Sequence, residues 1–224
     1  MKNALIIFVK TPVPGLVKTR LQPDLTRRES AQVYIAFLKD LDTKFFNRNN
    51  YACWYAVSPE LFDEHLLARI IHLDNYFLQE GQDLGERMNH AFQTLFCKGY
   101  KKVVLIGSDL PSLSSEIINQ AFLNLDRNDC VIGPSKDGGY YLIALNNPLP
   151  ALFQDLIWSS SSVFNKTVKL LDKTGITYFR LPELADIDTA EELISFYQDL
   201  KEEMTYKFDF PRHSWEIVRK LFAD

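Results

Sequence analysis

The chain has 224 residues, which is enough for one sizeable hydrophobic core and short for two full domains. Hydrophobic residues make up 46% of it and charged residues 24%, the balance of an ordinary globular protein. A net charge of −4 argues against a large basic surface, so nucleic acid is not a predicted partner. No apolar stretch approaches the roughly 20 residues that span a bilayer, which predicts no membrane partner and a cytoplasmic location.

Short β-rich runs alternate with helical periodicities along the chain, and this alternation is typical of the α/β class. The first run, residues 4–9, precedes a helix at residues 31–45 whose apolar side chains recur every three or four positions and cover a sheet. Further strands are predicted at residues 51–57, 102–107, 130–133, 140–145 and 176–179. Further helices are predicted at residues 61–70, 83–96, from 114 onward, 163–171, 189–200 and 206–224.

Residues 1–204 are predicted to form one domain, because no linker, repeat or low-complexity stretch interrupts them. Residues 205–224 are interpreted as a C-terminal helical extension of the same domain. Their apolar side chains follow a helical spacing that includes Trp215, Val218 and Phe222. This helix packs either on its own domain or on a second subunit, so a homodimer is one of the expected assemblies.

A cationic loop follows the first strand at residues 10–20. Its prolines and Gly15 prevent the chain from continuing as regular β-ladder, and they expose backbone N–H groups beside Lys10, Lys18 and Arg20. Ligands of α/β proteins bind at the carboxyl ends of the parallel strands. The loop therefore predicts a site for a polyphosphate or another anion at this edge of the sheet.

A carboxylate follows the most apolar strand. Residues 103–106 are continuously hydrophobic, which indicates a central parallel strand that is buried on both faces. Asp109 comes directly after this strand and before Pro111, so it either closes an Asx-turn or binds a cation. Hard carboxylate oxygens at the edge that also carries the cationic loop favour Mg²⁺ or Mn²⁺ bound to phosphates.

Glycines and acids also cluster at the start of the helix predicted at residues 83–96. Gly81 lets the backbone approach a ligand closely. The alternative is structural: Asp83 caps the helix, and Arg87 pairs with Glu86 or Asp83.

Two later acidic segments have the same double interpretation. Asp137 and two glycines form a turn between apolar strands, which a plain β-hairpin also explains. Asp186 and Asp188 precede a helix, so either Asp188 or Thr189 caps that helix, or the alternate acids complete a metal site.

The ordered motifs K-T-P-x-P-G-x-V-K-T-R-L, Q-x-G-x-D-L-G-E-R-M, G-S-D-L-P, D-G-G-Y-Y-L-I and D-I-D-T carry a family resemblance. Across residues 4–200, the chain resembles GT-A-fold proteins of the nucleotide-diphospho-sugar transferase superfamily, of the type assigned to arsenosugar-biosynthesis glycosyltransferases. It is similar more distantly to phospholactate guanylyltransferase and molybdenum-cofactor guanylyltransferase. The resemblance implies a three-layer α/β/α, Rossmann-like GT-A fold with a mostly parallel mixed sheet.

The resemblance also implies roles for individual residues. The phosphate-binding loop would comprise Lys10, Pro14, Gly15, Lys18 and Arg20, and the base and ribose would be bordered by Gln79, Gly81 and Asp83. The acceptor side would comprise Asp137, Gly138, Gly139 and Tyr140, and the metal ligands would be Asp109 and Asp188, with Asp186 the weaker candidate. Gln82 stands where many relatives have a glycine.

The leading hypothesis is metal-dependent glycosyl transfer from a nucleotide sugar to a hydroxyl of a small-molecule acceptor. In this hypothesis Asp137 acts as general base. The departing nucleoside diphosphate is stabilised by a divalent ion on Asp109 and Asp188 and by the cations Lys10, Lys18 and Arg20. One alternative is nucleotidyl transfer from an NTP to a phosphorylated metabolite with release of pyrophosphate. Another is a nucleotide-binding module without catalysis.

Overall fold

A computed structural model describes residues 2–158, 160–202 and 209–222. The strands are β1 (Asn3–Val9), β2 (Ala52–Val57), β3 (Tyr76–Leu78), β4 (Lys102–Ile106), β5 (Cys130–Pro134), β6 (Tyr140–Leu145) and β7 (Tyr178–Arg180). The helices are α1 (Arg27–Phe45), α2 (Glu64–Ala68), α3 (Leu84–Cys97), α4 (Ser115–Asn124), α5 (Val163–Thr174), α6 (Ala190–Glu202) and α7 (Arg212–Phe222). Short 3₁₀ turns occur at Thr19–Leu21 and Pro150–Phe153.

One seven-stranded sheet organises the fold, with the strand order β3-β2-β1-β4-β6-β5-β7. Strands β1 to β4 run parallel to one another, and β5 is parallel to β7. Only β6 runs antiparallel to the strands on both of its sides, within the described sheet. The α/β class and the mostly parallel mixed sheet are therefore confirmed. Because β1 to β4 are parallel, their carboxyl ends meet at one edge of the sheet.

Side chains of the central strands alternate between two cores, one on each face of the sheet. In β4, Val104 and Ile106 pack with α1 and α4, whereas Val103 and Leu105 pack with α3 and α5. All four side chains are at most 5% exposed, which confirms the prediction of a strand buried on both faces. Helices on both faces give the three-layer α/β/α arrangement.

Helix α1 packs on both of its sides. Thr26 and Glu29 form a reciprocal capping box at its start, which satisfies amide groups that the helix cannot pair itself. One side of α1 covers the sheet, and the other side carries Val33 and Phe37 into a third cluster with α6 and α7. Because α1 is apolar on two faces, both faces must pack against other elements. The sheet covers one face, and α6 and α7 cover the other.

Helix α7 lies within the C-terminal extension predicted at residues 205–224, of which residues 205–208 and 223–224 lie outside the described part of the chain. It contacts α1 and α6 of its own chain and buries Val218 completely. The homodimer remains a prediction. No helix in the described residues is long and apolar enough to cross a membrane.

Several predicted boundaries were wrong. The helix predicted at residues 61–70 is the shorter α2, because Leu61 has a φ of +56° and Asp63 caps the helix by accepting from the Leu66 N–H at 2.9 Å. The strand predicted at residues 176–179 begins only at Tyr178. Strand β3 was not predicted, since three residues without alternation give no strand periodicity.

Candidate functional site

A cavity of about 740 Å³ opens at the carboxyl edge of the parallel strands. Residues that follow β1, β3 and β4 reach it, and they are joined there by the segments that follow β5 and β7. Its polar lining includes Lys10, Lys18, Arg20, Gln79, Arg87, Ser108, Asp109, Asp137, Asp186 and Asp188. Cations and carboxylates that are distant in sequence therefore share one cavity, as the strand order requires.

Tyr34 of α1 joins the loop after β1 to the loop after β4. Its hydroxyl accepts a hydrogen bond from the Lys10 backbone N–H at 3.0 Å and shares another with the Ser108 hydroxyl at 3.0 Å. Burial, with a further contribution from Asp109, raises the pKa of Tyr34 far above its usual value, so the phenol stays neutral. Tyr34 thus holds the cationic loop beside Asp109.

The segment that carries Asp186 and Asp188 is held against Asp109 by its backbone. The Ile187 N–H donates to the Asp109 carbonyl oxygen at 3.0 Å, and the Ile187 side chain is 4% exposed in the third cluster. A buried side chain between two acids therefore turns the carboxylates on either side toward the cavity edge. This contact brings together Asp109 and Asp188, which are 79 positions apart in the sequence.

Lys18 connects the two carboxylates. Its Nζ lies 2.5 Å from Asp109 Oδ1 and 3.0 Å from Asp188 Oδ1, and it donates to the Ile187 carbonyl at 2.6 Å. Burial by itself would lower the pKa of Lys18, but the charges of Asp109 and Asp188 outweigh it and raise the pKa. The ammonium therefore stays charged, although its side chain is only 3% exposed.

Arg20 extends this cluster toward solvent. Its Nη1 lies 3.2 Å from Asp188 Oδ2, and its side chain is 65% exposed. Lys10 also lines the cavity but makes no ion pair with the described residues. The cationic loop thus has one buried cation, one exposed cation in a pair, and one cation that is available to a ligand.

Asp186 lies among the cavity acids, although the sequence made it the weaker metal candidate. Burial and the charges of Asp109, Asp137 and Asp188 raise the pKa of its carboxyl to about 7, while Lys18 pulls the pKa down. From the sequence alone, either Asp186 or Asp188 could face the cavity. The structure shows that both acids line it.

Asp137 forms the hairpin turn that the alternative interpretation described, and it also lines the cavity. Its Oδ1 accepts hydrogen bonds from the Gly139 N–H at 2.9 Å and from the Ser135 hydroxyl. Gly138 has a φ of +90°, and a Cβ there would lie 2.0 Å from the Ser161 carbonyl oxygen. This turn therefore requires glycine, because another residue would collide with the loop around Ser161.

Gln79 and Asp83 border the cavity beyond the end of β3. Gln79 is 7% exposed, and its Nε2 donates to the Ala56 carbonyl at 2.8 Å, which leaves the amide oxygen without a donor from the described residues. Asp83 caps α3 by accepting from the Glu86 N–H at 2.9 Å. The expected partner of Arg87 was wrong, since its guanidinium pairs with Glu60 at 2.6 Å and not with Glu86 or Asp83.

The remaining predicted site residues differ in their relation to the cavity. Gly139 and Tyr140 line it, whereas Pro14, Gly15, Gly81 and Gly138 lie in the same loops outside its lining. These four residues shape the turns that carry the lining side chains, as their torsion angles or ring constraints indicate.

Trp158 is a cavity residue that sequence reasoning missed. Its ring stacks edge-on against Tyr140 at 6.3 Å between centroids and lies against Gly85, where a Cβ would come within 2.5 Å of it. Its buried Nε1 has no hydrogen-bond partner among the described residues. In the sequence, Trp158 is a single aromatic residue before a run of serines. That pattern alone does not indicate a cavity.

A divalent cation fits the chemistry of this site, although the described residues hold no cluster of three or more His, Cys, Asp or Glu side chains arranged for a metal ion. Asp109, Asp188 and the Ile187 carbonyl already place three hard oxygens around the Lys18 ammonium. Mg²⁺ is usually held by one or two carboxylates and completed by phosphates and water. Two carboxylates that line this cavity fit that pattern.

Residues 24–160, more than half of the chain, match the family described as "Uncharacterized protein conserved in bacteria (DUF2064)". The chain belongs to the DUF2064 family. The family match contains Asp109 and Asp137, whereas the cationic loop and the Asp186–Asp188 segment lie outside it.

Solved structures share the fold of this DUF2064 protein. A Desulfovibrio desulfuricans G20 protein that carries the provisional name nucleotide-diphospho-sugar transferase is 31% identical with a TM-score of 0.86, over 98% of this chain and 97% of that one. Rv0371c from Mycobacterium tuberculosis H37Rv, solved with manganese, is 12% identical with a TM-score of 0.53, over 88% and 99% of the chains, and shows the fold alone.

A curated relative extends the comparison. The 2-phospho-L-lactate guanylyltransferase of Methanosphaera stadtmanae is 26% identical over 149 residues, which cover 64% of this chain and 62% of that protein. The predicted distant similarity to phospholactate guanylyltransferase is thereby confirmed, and the fold is that of nucleotide-utilising transferases. The arsenosugar type remains a prediction.

Proposed function

We propose that this DUF2064 protein is a nucleotidyltransferase that joins a nucleoside triphosphate to a phosphorylated small molecule and releases pyrophosphate. The observation that carries the proposal is the meeting of the cationic loop with Asp109 and Asp188 in one cavity. Nucleotidyl transfer requires that the negative charge of the phosphates is neutralised and that the nucleophile is aligned. The cations of the loop, and a divalent ion on the two carboxylates, would supply the neutralising positive charge. Similarity to a guanylyltransferase supports the same reaction class.

The reaction forms one bond and breaks one. A phosphate oxygen of the acceptor attacks the α-phosphorus of the triphosphate, and the bond between the α-phosphorus and the bridging oxygen to the β-phosphate breaks, so pyrophosphate leaves. Lys10, Lys18 and Arg20 line the cavity and would stabilise the phosphate charge. Asp109 and Asp188 would hold a divalent ion, which supplies further neutralisation of the phosphates when bound.

The state of Asp137 favours this reaction over the leading hypothesis from the sequence. Its Oδ1 already accepts hydrogen bonds from Gly139 and Ser135, so this oxygen is engaged within the turn and not with an acceptor hydroxyl. A phosphorylated acceptor is an anionic nucleophile at neutral pH and needs no general base. Nucleotidyl transfer therefore does not require Asp137 as a general base, whereas glycosyl transfer in the leading hypothesis does.

Glycosyl transfer is the second candidate, and Asp186 is the observation that favours it. Its carboxyl lines the cavity, and its pKa of about 7 suits a general base that removes the proton of an acceptor hydroxyl near neutral pH. In this case a nucleoside diphosphate leaves from a nucleotide sugar. The provisional name of the Desulfovibrio relative agrees with this class of donor.

The test separates the two reactions by ligand and by product. Thermal unfolding of the purified protein is measured with nucleoside triphosphates, diphosphates and nucleotide sugars, each with Mg²⁺, Mn²⁺ or a chelator, because a ligand of the folded state raises the midpoint. The proposal expects the largest shift with a triphosphate, and pyrophosphate release with phosphorylated acceptors. A largest shift with a nucleotide sugar, together with release of a nucleoside diphosphate, would replace it by glycosyl transfer. No shift with any nucleotide would overturn both.

A further inference from the structure

We infer that, in the nucleotide-free protein, Lys18 occupies the position of the divalent cation between Asp109 and Asp188, so that the ion binds together with the nucleotide and not before it. The inference rests on the proposed function, since it assumes that phosphates enter this cavity. In this role the Lys18 side chain blocks the cation site until a nucleotide binds. The sequence motifs alone do not indicate such a role.

The surroundings of the Lys18 ammonium are those of a bound cation. Three oxygens lie within 3.0 Å of Nζ, two from the carboxylates and one from the Ile187 carbonyl. The face of the Phe37 ring lies 5.3 Å from Nζ, measured to the ring centroid. With 3% of the side chain exposed, the ammonium is enclosed, and every one of these groups stabilises positive charge.

The carboxylates remain accessible from the cavity while Lys18 holds them. The Asp109 and Asp188 side chains are 44% and 34% exposed, so an ion from solvent reaches them. Such an ion meets charge that is already neutralised, because Lys18 contacts both acids and Arg20 contacts the second oxygen of Asp188. Repulsion between the ion and two cations at this range weakens binding strongly.

The backbone conformation of Lys18 sets the place in the loop from which its side chain extends. Lys18 adopts the left-handed conformation, with φ 47° and ψ 44°, which is uncommon for a residue other than glycine. Such a conformation persists when the surroundings determine it. The flexible four-carbon side chain lets Nζ move to a phosphate oxygen without a change in the loop, and Lys10 in the same cavity is available for a first phosphate contact.

The test measures Mn²⁺ binding by electron paramagnetic resonance, without nucleotide, in the wild-type protein and in Lys18→Met. We expect Lys18→Met to bind Mn²⁺ about tenfold more tightly or better, because a positive charge next to the carboxylates is removed. Lys10→Met is the matched control, since it removes a lysine of the same loop that pairs with no described carboxylate, and it should bind Mn²⁺ like the wild type. The double variant Lys18→Met/Asp109→Asn should lose the gain. Wild-type protein should bind Mn²⁺ tightly only when a triphosphate is added.

A folded Lys18→Met that binds Mn²⁺ no more tightly than the wild type would overturn the inference. Circular dichroism and the thermal midpoint establish that the variant is folded, and Lys18→Gln, measured in the same way, takes its place if it is not. Failure of the proposed function has a different signature, namely no thermal shift of the wild type with any nucleotide. The affinity of Lys18→Met for Mn²⁺ is read without nucleotide and does not depend on that result.

Discussion

Two groups of carboxylates in this protein are satisfied in opposite ways. Asp40 of α1 is 4% exposed and accepts hydrogen bonds from the His213 N–H at 2.9 Å, the Ser214 N–H at 2.7 Å and the Ser214 hydroxyl at 2.5 Å. These donors lie in the first turn of α7, where the helix dipole also favours an anion. All three of these hydrogen bonds come from α7, so Asp40 serves to hold that helix against α1.

The cavity acids are organised differently. Asp109 and Asp188 are paired with the buried Lys18 ammonium, and Asp188 is also paired with the exposed Arg20 guanidinium. Repulsion from Asp109, Asp137 and Asp188 contributes to the raised pKa of Asp186. The Asp40 pKa is raised as well, by burial, although its hydrogen bonds from Ser214 and His213 pull it down. The difference between the groups is that Asp40 is paired by donors of α7, whereas Asp109 and Asp188 are paired by the flexible cationic side chains of Lys18 and Arg20.

Asp109→Ala should give the largest effect on activity. Loss of a charge that positions Lys18 and a phosphate-bound ion should lower the transfer rate by about 10²–10³-fold. The measurement is pyrophosphate release with the thermal midpoint followed in parallel. Asp126→Ala is the matched control, because Asp126 also pairs with a lysine, Lys102, but lies outside the cavity lining. Equal rates for Asp109→Ala and wild type would remove Asp109 from the site.

Asp40→Ala should give the reverse pattern, with lost stability and unchanged activity per folded molecule. Three donors, two of them amides at the start of a helix, lose their acceptor, which should lower the free energy of unfolding by about 2–4 kcal/mol. Urea unfolding measures the change, and Asp40→Asn, which keeps one acceptor oxygen, should lose less. A change below about 0.5 kcal/mol would mean that α7 docks without this carboxylate.

Asp186→Asn should change how stability depends on pH. The folded-state pKa of about 7 lies above the usual value of 3.8, so between these values the folded protein binds more protons than the unfolded chain. The wild type therefore loses stability as the pH rises from 4 to 7, and the amide variant should be spared this loss. We expect Asn to stabilise by about 1–2 kcal/mol at pH 8 and to have little effect at pH 4. Unfolding at several pH values checks this, and an effect that is the same at pH 4 and pH 8 would contradict it.

Arg20→Gln should give the smallest change in stability. Its pair with Asp188 is solvent-exposed, and such pairs contribute about 0–1 kcal/mol. The same variant should raise the KM for the nucleotide several-fold with little change in kcat, because a phosphate-facing charge is removed, and the effect should shrink at high salt. A loss of stability comparable to that of Asp40→Ala would show that Arg20 belongs to the structural group of contacts.

Local sequence patterns determined a large part of this protein. The continuous apolar run at 103–106 implied the central strand β4, and the apolar spacing of residues 31–45 implied the face of α1 that covers the sheet. Both signals depend on periodicity within one element. The prolines and glycines around Lys10 and Asp137 likewise indicated loops at the sheet edge, since their torsional constraints are local.

Only the tertiary structure decided which charges meet. The pairing of Lys18 with Asp109 and Asp188 depends on the hydrogen bond from the Ile187 N–H to the Asp109 carbonyl and on the burial of Ile187. Neither feature can be predicted from the spacing of residues in the sequence. The same holds for Asp186, whose neighbours come from three separate loops, and for Trp158, which reaches the cavity because Gly85 leaves room for its ring. A sequence shows which residues carry charge. Distances between residues far apart in the chain, and therefore Coulomb energies and pKa values, arise only when strands from distant segments align their carboxyl ends at one edge.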